Sequence, residues 1–330
     1  MNPHCVQIEP VDPALARPVW SVMIPAYHCA RYLGDTLRSV LAQDPGPDAM
    51  QIEVVDDHST QDDPESVVRE VGRGRVGFFR QPANVGTTRN FATCIARSRG
   101  RLVHLLHGDD LVGDGFYASL QRAFDADPAI GAAFCRQIFI DGNGDWIDLS
   151  PLEQPRSGRL EGALERLATE QRIMTPSIVV RRDVYEALGG FDDRLRCSED
   201  WEMWVRIAAR YPVWYEKEPL ALYRMHANSN TGRHIRTAED IRYTREAIDL
   251  FQAHLPPARA AAIVRTAKQQ YALAAIRTAR SLLVARDLDG ARAQLAEALR
   301  LSRSPRVLAS LLAAVPSGLV AMTRRERLPW

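Results

Sequence analysis

The chain has 330 residues, 46% of them hydrophobic and 25% charged, with a formal net charge of +1. This composition suits one large globular domain plus an appendage and excludes a disordered chain; it gives no basis for a nucleic-acid partner. Five cysteines (Cys5, Cys29, Cys94, Cys135, Cys197) are scattered and lack a Cys-x-x-Cys spacing, so neither zinc nor a disulfide framework is indicated, and a reducing cytoplasm fits.

Residues 1–17 carry Pro3, Pro10 and Pro13 and no apolar core, which predicts a loose N-terminal arm rather than a leader or a membrane span. Val19 to Pro25 is a short apolar strand, followed by the loop Ala26-Tyr27-His28. Arg31 to Gln43 has helical spacing, with Leu33, Leu37, Val40 and Leu41 on one side. Ile52 to Val55 is a second strand ending in Asp56-Asp57, Asp63 to Val71 a helix, and Val76 to Phe79 a third strand. Gly86 to Arg97 is helical, and Leu102 to Leu106 is a fourth strand, ending in His107-Gly108-Asp109-Asp110. Strands and helices alternating at this pace predict βαβ units around a mostly parallel sheet.

In such a sheet the carboxyl ends of the strands line one edge, where open α/β folds bind ligands. Asp56-Asp57, Asp109-Asp110 and Pro25-Ala26-Tyr27 therefore converge on one crevice. Paired carboxylates there suit a hard divalent cation such as Mg²⁺ or Mn²⁺, which fills its remaining positions with water and phosphate oxygens. No Gly-x-Gly-x-x-Gly follows the first strand and no Gly-x-x-x-x-Gly-Lys-Ser/Thr occurs, which argues against a dinucleotide enzyme and excludes a P-loop.

Beyond the fourth strand, Phe134 to Ile140 and Trp146 to Leu149 read as antiparallel strands around an Asp141-Gly142-Asn143-Gly144 turn. Leu160 to Ala168 and Arg182 to Leu188 are short helices, Ile178 to Val180 and Leu220 to Arg224 strands, and Asp200 to Ala209 a helix. From about Thr237 the chain is helical, with Tyr271 to Ala285 and Gly290 to Leu301 rich in Ala and Leu. From Arg259 to Trp330 there are 13 basic and 4 acidic residues, net +9, against −8 for the rest of the chain. Val307 to Thr323 is uncharged but broken by Pro316 and Gly318, and at 17 residues falls short of the roughly 20 that a span wants. This basic tail either touches an anionic membrane surface or packs as helices on the main domain or on a second subunit.

Ser21-Val22-Met23-Ile24-Pro25-Ala26-Tyr27, Val54-Val55-Asp56-Asp57-His58-Ser59-Thr60, Asn84-Val85-Gly86-Thr87-Thr88-Arg89-Asn90 and His107-Gly108-Asp109-Asp110 together resemble a family-2 glycosyltransferase of the GT-A fold. Gly189-Gly190-Phe191-Asp192, Ser198-Glu199-Asp200-Trp201 and Tyr223-Arg224-Met225-His226 extend the resemblance from about Val19 to Asn230. One departure is His107, where the family often has Asp. The resemblance implies a GT-A domain over residues 18–232 (nucleotide-binding half 18–112, acceptor half 113–232) and a helical region over 233–330.

It also implies roles. Pro25, Ala26 and Tyr27 would border the nucleotide base, with Asp57 accepting an imide hydrogen and Arg89 bridging towards Asp57 or a phosphate. Asp110 would hold the metal, Asp109 the metal or the ribose, and His226 would complete the site or serve structurally; the polar loop after it could cover a diphosphate. Asp200 is implied as the general base, with Glu199 as competitor, and a single base implies inversion at the anomeric carbon. Trp201 and Trp204 either wall the acceptor or fill the core. The expected reaction is metal-assisted transfer from a nucleotide-diphosphate sugar, with a UDP-sugar as the expected donor, to a glycan or lipid-linked acceptor at the inner face of the cell membrane. Two other classes stay open: a nucleotidyltransferase making nucleotide sugars, which usually needs a Gly-rich, basic loop after the first strand, and a non-catalytic binding protein using the helical tail.

Overall fold

The computed structural model describes residues 4–226 and 230–321, in two compact units: Met1–Ala163 with Arg172–Arg224, and Leu164–Gln171 with Met225–Trp330. The first unit begins with β1 (Trp20–Ala26), α1 (Ala30–Leu41), β2 (Met50–Asp56), α2 (Pro64–Gly72), β3 (Gly77–Arg80), α3 (Thr87–Arg97) and β4 (Leu102–Leu105). It continues with β5 (Leu111–Val112), α4 (Phe116–Ala126), β6 (Ala132–Ile140), β7 (Trp146–Leu149), β8 (Gly158–Arg159) and α5 (Ala163–Thr169), whose last six residues count with the second unit. A 3₁₀ turn (Thr175–Ser177), β9 (Ile178–Arg181), α6 (Arg182–Leu188), α7 (Glu199–Ala208) and β10 (Val213–Arg224) complete it.

Ten strands form one sheet in the order β3-β2-β1-β4-β9-β6-β10-β5, with β7 on β6 and β8 on β10. The first four strands are parallel, as the βαβ rhythm predicts. Beyond β4 the sheet is mixed: β9 runs antiparallel to both β4 and β6, while β10 is parallel to β6. Every residue of β1 and β4 is buried, which is why these segments read as unbroken apolar runs. Leu33, Leu37 and Val40 of α1 are fully buried in the core this half shares. Gly100 lies where a Cβ would come within 2.4 Å of the Trp20 carbonyl carbon, so only glycine lets the chain enter β4 beside β1.

Several expectations are corrected. Residues 4–9 are not a loose arm: Gly190 donates to the Val6 carbonyl at 2.8 Å, Asp193 to that of His4 at 2.9 Å, and Ile8 is fully buried. Extended backbone finds partners there that the sequence pattern does not reveal. The Leu220 strand is the end of a 12-residue strand whose register against β6 shifts around Pro219, which hides its length in the sequence. Helix α4, with Phe116, Leu120 and Ala123 buried, was not expected.

The second unit contains α8 (Asn230–Thr237), α9 (Glu239–Phe251), a 3₁₀ turn (Gln252–His254), α10 (Pro257–Val284), α11 (Leu288–Leu301) and α12 (Pro305–Ala321). Helix α10 starts 14 residues before the expected Tyr271, with Pro257 in its first turn, where a missing N–H costs nothing. Ala267, Ala272, Ala275 and Ala279 of α10 and Ala291 and Ala298 of α11 are buried, and such small residues let helices approach closely. Helix α12 runs through Pro316 and Gly318, where a break was expected. Residues 322–330, with Arg324, Arg325 and Arg327, lie outside the described residues, as do Ala227 to Ser229 of the polar loop. No described helix is long and apolar enough to cross a membrane. The first unit ends at Arg224 and the longer segment of the second begins at Met225.

Candidate active site

The loops leaving β1, β2 and β4 are laced together by backbone hydrogen bonds. Asp57 donates to the Ala26 carbonyl at 2.8 Å, and Gly108 to that of Pro25 at 3.1 Å. A Cβ on Gly108 would sit 2.6 Å from Cys29 Sγ, so glycine is what lets this loop press against the end of β1. Pro25 and Ala26 are themselves buried strand residues, whereas Tyr27 is 45% exposed, with its ring centroid 4.0 Å from that of His28.

Asp57 is buried, and its carboxylate organises the segment before α3. Oδ1 accepts from Val85 N at 2.7 Å, and Oδ2 from Gly86 N at 2.9 Å and Asn84 Nδ2 at 3.0 Å. Gly86 holds φ +84, a conformation that favours glycine. Burial raises the Asp57 carboxyl above its ordinary range, against the pull of the two amides. Two further members of the Asn84 to Asn90 motif are structural: Asn90 Nδ2 donates to the Val55 carbonyl at 2.9 Å and Thr88 Oγ1 to that of Leu195 at 2.8 Å. Arg89 is exposed, and among the described residues no ion pair joins it to Asp57, whose carboxylate accepts three amide N–H groups.

The second cluster follows β4. Ligand atoms of His107, Asp109 and Asp110 lie within 4.8 Å of one another; among the described residues this grouping does not include His226, which is counted in the second unit. Asp110 is 1% exposed, and its Oδ1 accepts the backbone N–H of Arg224 at 2.8 Å. Its Oδ2 lies 3.4 Å from His107 Nδ1. Asp110 Oδ2 and His107 Nε2 are buried without a hydrogen-bond partner. Arg224 also donates from Nε to the Asp109 carbonyl at 2.7 Å and from Nη1 to that of Asp141 at 3.1 Å, with its guanidinium 4.7 Å from the Tyr32 ring centre. The sequence reading passed over Arg224, although it lies within the Tyr223 to His226 motif. Burial, with Asp109 adding to it, holds the Asp110 carboxyl above its ordinary range; burial opposes charge on His107, but the facing carboxylates raise its pKa overall.

The third group opens α7. Asp200 Oδ1 accepts from Trp201 N at 2.8 Å, and its Oδ2 from Thr175 Oγ1 at 3.3 Å. The Thr175–Ser177 turn is tied to β4 by buried His104, whose Nε2 lies 3.0 Å from the Pro176 carbonyl and Nδ1 3.3 Å from the Tyr117 hydroxyl. Burial lowers the His104 pKa to about 3, so this histidine is neutral and structural. Glu199 is 7% exposed and Asp200 more so. Burial raises both carboxyls; Asp200 raises Glu199 further, and His107 pulls both down, which places it within electrostatic reach of the pair.

Trp201 and Trp204 are 1% and 2% exposed, so the acceptor-wall alternative gives way to core packing, Trp204 meeting Phe191 edge to face. The Gly189 to Asp192 motif is likewise structural: Arg206, paired with Glu202 at 2.8 Å, donates to the Leu188 and Gly190 carbonyls and pins that segment to α7.

Comparison with known proteins matches residues 21–189 to the profile of Glycosyl transferase family 2 and residues 165–252 to that of Glycosyltransferase like family 2. An uncharacterised protein of Mycobacterium tuberculosis is 29% identical over 244 residues, covering 68% of this chain and 73% of that protein. Among solved structures, Staphylococcus aureus TarS in complex with UDP-GlcNAc superposes with a TM-score of 0.61 at 14% identity, over 92% of this chain and 81% of that one. The mannosyltransferase PcManGT of Pyrobaculum calidifontis, in complex with GDP-Man and Mn²⁺, gives 0.56 at 20% identity, over 96% and 85%. At these identities the structural likeness speaks to the fold.

Proposed function

The chain belongs to glycosyltransferase family 2, with a GT-A fold, and from that premise we propose an inverting, metal-assisted transfer of a sugar from a nucleotide diphosphate to an acceptor hydroxyl. The observation that carries this reading is the buried Asp110 Oδ2, without a hydrogen-bond partner, beside His107 and Asp109.

The donor set fits a divalent cation. Leaving a buried polar atom unpaired costs about 1–3 kcal/mol, and a ligand bond removes that cost. Asp110 and Asp109, with His107, would hold the ion. Such an ion, when bound, neutralises charge on the leaving diphosphate. Arg224 keeps Asp110 and the Asp109 peptide in place, so their oxygens need not reorganise.

At the nucleotide end, exposed Tyr27 offers its ring to a base. Asp57 Oδ1 accepts one N–H from the protein where Oδ2 accepts two, which leaves capacity for an imide hydrogen. Uracil and guanine both carry such a hydrogen, and UDP-GlcNAc and GDP-Man are the donors bound to the two neighbouring structures. We take UDP-sugars as the first donors to test. Arg89, exposed at the start of α3, can meet a phosphate.

Asp200 is the proposed general base. It is more accessible than Glu199, Thr175 orients it, and its raised pKa moves it towards the pH at which a base both accepts and releases a proton. No second carboxylate is assigned as nucleophile, so the acceptor oxygen attacks the anomeric carbon directly and the configuration inverts. The acceptor is proposed to be a glycan or lipid-linked hydroxyl at the inner membrane face. On α12, Leu308 and Leu312 are exposed beside exposed Arg303 and Arg306, which supports contact with an anionic lipid surface.

Incubation with a panel of UDP-, GDP- and TDP-sugars and Mn²⁺, followed by nucleoside diphosphate release, tests the reading. One donor should turn over slowly with water and faster with an acceptor. Binding without release for every donor and acceptor would overturn it in favour of a non-catalytic binding protein.

A further inference from the structure

The helical unit holds a cavity of about 600 Å³ lined by Arg245, Leu299, Arg300, Leu301, Ser302 and Arg303. All six residues belong to the second unit and none is acidic. Sites for small ligands commonly measure about 300–1,000 Å³, so the volume suits one.

Three guanidiniums at one opening repel one another, and a single carboxylate offsets them. Glu297, 5% exposed, accepts from Arg245 Nε at 3.4 Å through Oε2 and from Arg300 Nη1 through Oε1. That one negative charge leaves a net of two positive charges on the three arginines. It also gathers a guanidinium of α9 and one of α11 on the same group. Arg303 is steered by its own contact, Nε to the Leu299 carbonyl at 3.4 Å. Each guanidinium carries five N–H donors, so most of them are left for a ligand. Exposed ion pairs contribute little and seldom fix long side chains. Here the carboxylate is buried, so two of the arginines are ordered before a ligand arrives, and binding does not bear that cost.

The geometry selects the ligand. A guanidinium fork matches two oxygens of a phosphate at once, and several forks around one opening suit a group with oxygens on several sides. A carboxylate has two oxygens in one plane and satisfies one fork. The net of two positive charges suits a dianion, and the Ser302 hydroxyl adds a further donor.

We propose that this cavity binds a phosphate group with about two negative charges, a phosphomonoester or a diphosphate, free or carried by a lipid. The proposal does not depend on the transfer reaction above.

Titration calorimetry of the full chain with pyrophosphate tests it, in EDTA so that no metal bridges the ligand to Asp110. Saturable binding is expected. Its Kd should rise about tenfold or more in Arg300→Gln/Arg303→Gln and stay unchanged in Asp110→Asn. Arg300→Lys/Arg303→Lys should bind nearly as poorly as the glutamine pair, because ammonium lacks the fork. No saturable binding by the wild type, or full binding by either double variant, overturns the proposal. Should the variants fail to fold, modification of the wild type by phenylglyoxal decides: pyrophosphate should shield Arg245, Arg300 and Arg303, and shielding of other arginines alone overturns it. Vesicles distinguish the sources. Preference for phosphatidic acid over phosphatidylglycerol at equal surface charge, competed away by pyrophosphate, assigns a lipid headgroup. Equal binding to both lipids, with pyrophosphate affinity retained, assigns a soluble ligand. Vesicle binding without pyrophosphate binding overturns the cavity site and leaves the membrane contact standing.

Discussion

Arg224 donates its backbone N–H to one oxygen of Asp110 at 2.8 Å and leaves the other oxygen buried, unpaired and beside His107. This bond joins the end of the last sheet strand to the loop after β4. It uses the main chain, so the carboxylate is oriented whatever side chain stands at 224. The guanidinium adds a separate hold through the Asp109 and Asp141 carbonyls.

Asp110→Asn should abolish metal-dependent transfer and leave the fold intact. The amide oxygen can still accept from Arg224 N, but the charge that binds a cation is gone. Loss of about 10²-fold or more in turnover at saturating Mn²⁺ is expected, of the size seen when one electrostatic contact at a reacting centre is removed. Thermal melting of both proteins separates this from unfolding; turnover within a few-fold of wild type would count against Asp110 as a ligand.

Asp200→Asn should keep donor binding and lose turnover. The base acts on the acceptor, so kcat should fall about 10²–10⁴-fold while nucleotide-sugar affinity stays within twofold. A preserved kcat would move the role to Glu199, which the parallel variant Glu199→Gln would then reveal.

Arg224→Met is expected to weaken Mn²⁺ binding about 10–100-fold, the usual cost of losing a group that orients a metal ligand. Its backbone N–H still holds Asp110, so some binding should persist. Arg224→Lys should restore little, because a single ammonium cannot reach two carbonyls in the fork geometry of guanidinium. Titration calorimetry checks both; full rescue by lysine would mean that only positive charge matters.

A prediction of pH dependence comes from the helical unit. Asp240, in the first turn of α9, accepts from Gln294 Nε2 at 2.9 Å, and burial raises its pKa to about 6. Its folded pKa exceeds the ordinary value of 3.8, so the native state holds the proton more tightly than the unfolded chain does. Stability from this group is present at low pH and is lost as pH rises from about 4 through 6. Asp240→Asn should therefore raise stability at pH 7.5 by about 2 kcal/mol, a figure reduced for the solvent screening of a partly exposed group, and by little at pH 4. Melting curves of the two proteins at both pH values test it; an equal shift at each would show that ionisation of Asp240 is not the cause.

Full-length protein should sediment with anionic vesicles at low salt and be released as salt rises, since each basic residue near such a surface contributes about 1 kcal/mol. A chain ending at residue 303 should stay in the supernatant while keeping its melting temperature. No binding by the full chain, with a lower melting temperature after truncation, would assign the tail to packing.

The sequence by itself determined the βαβ half and the cluster of acidic loops at its edge, because apolar runs and helical spacing are local signals and strand ends share one edge by topology. It also singled out Tyr27, Asp57, Asp110 and Asp200 as motif positions. It did not tell the structural members of those motifs from the functional ones: Asn90, Thr88 and Arg206 tie loops to the core, and Trp201 and Trp204 are core. Only the tertiary structure decided that the N-terminal arm is bound, that the sheet turns mixed after β4, and that Arg224 governs Asp110 across 114 residues. The reason is that these contacts rest on backbone groups and on a register shift around Pro219. Every residue carries nearly the same backbone donor and acceptor, so side-chain type does not reveal which pairs will meet.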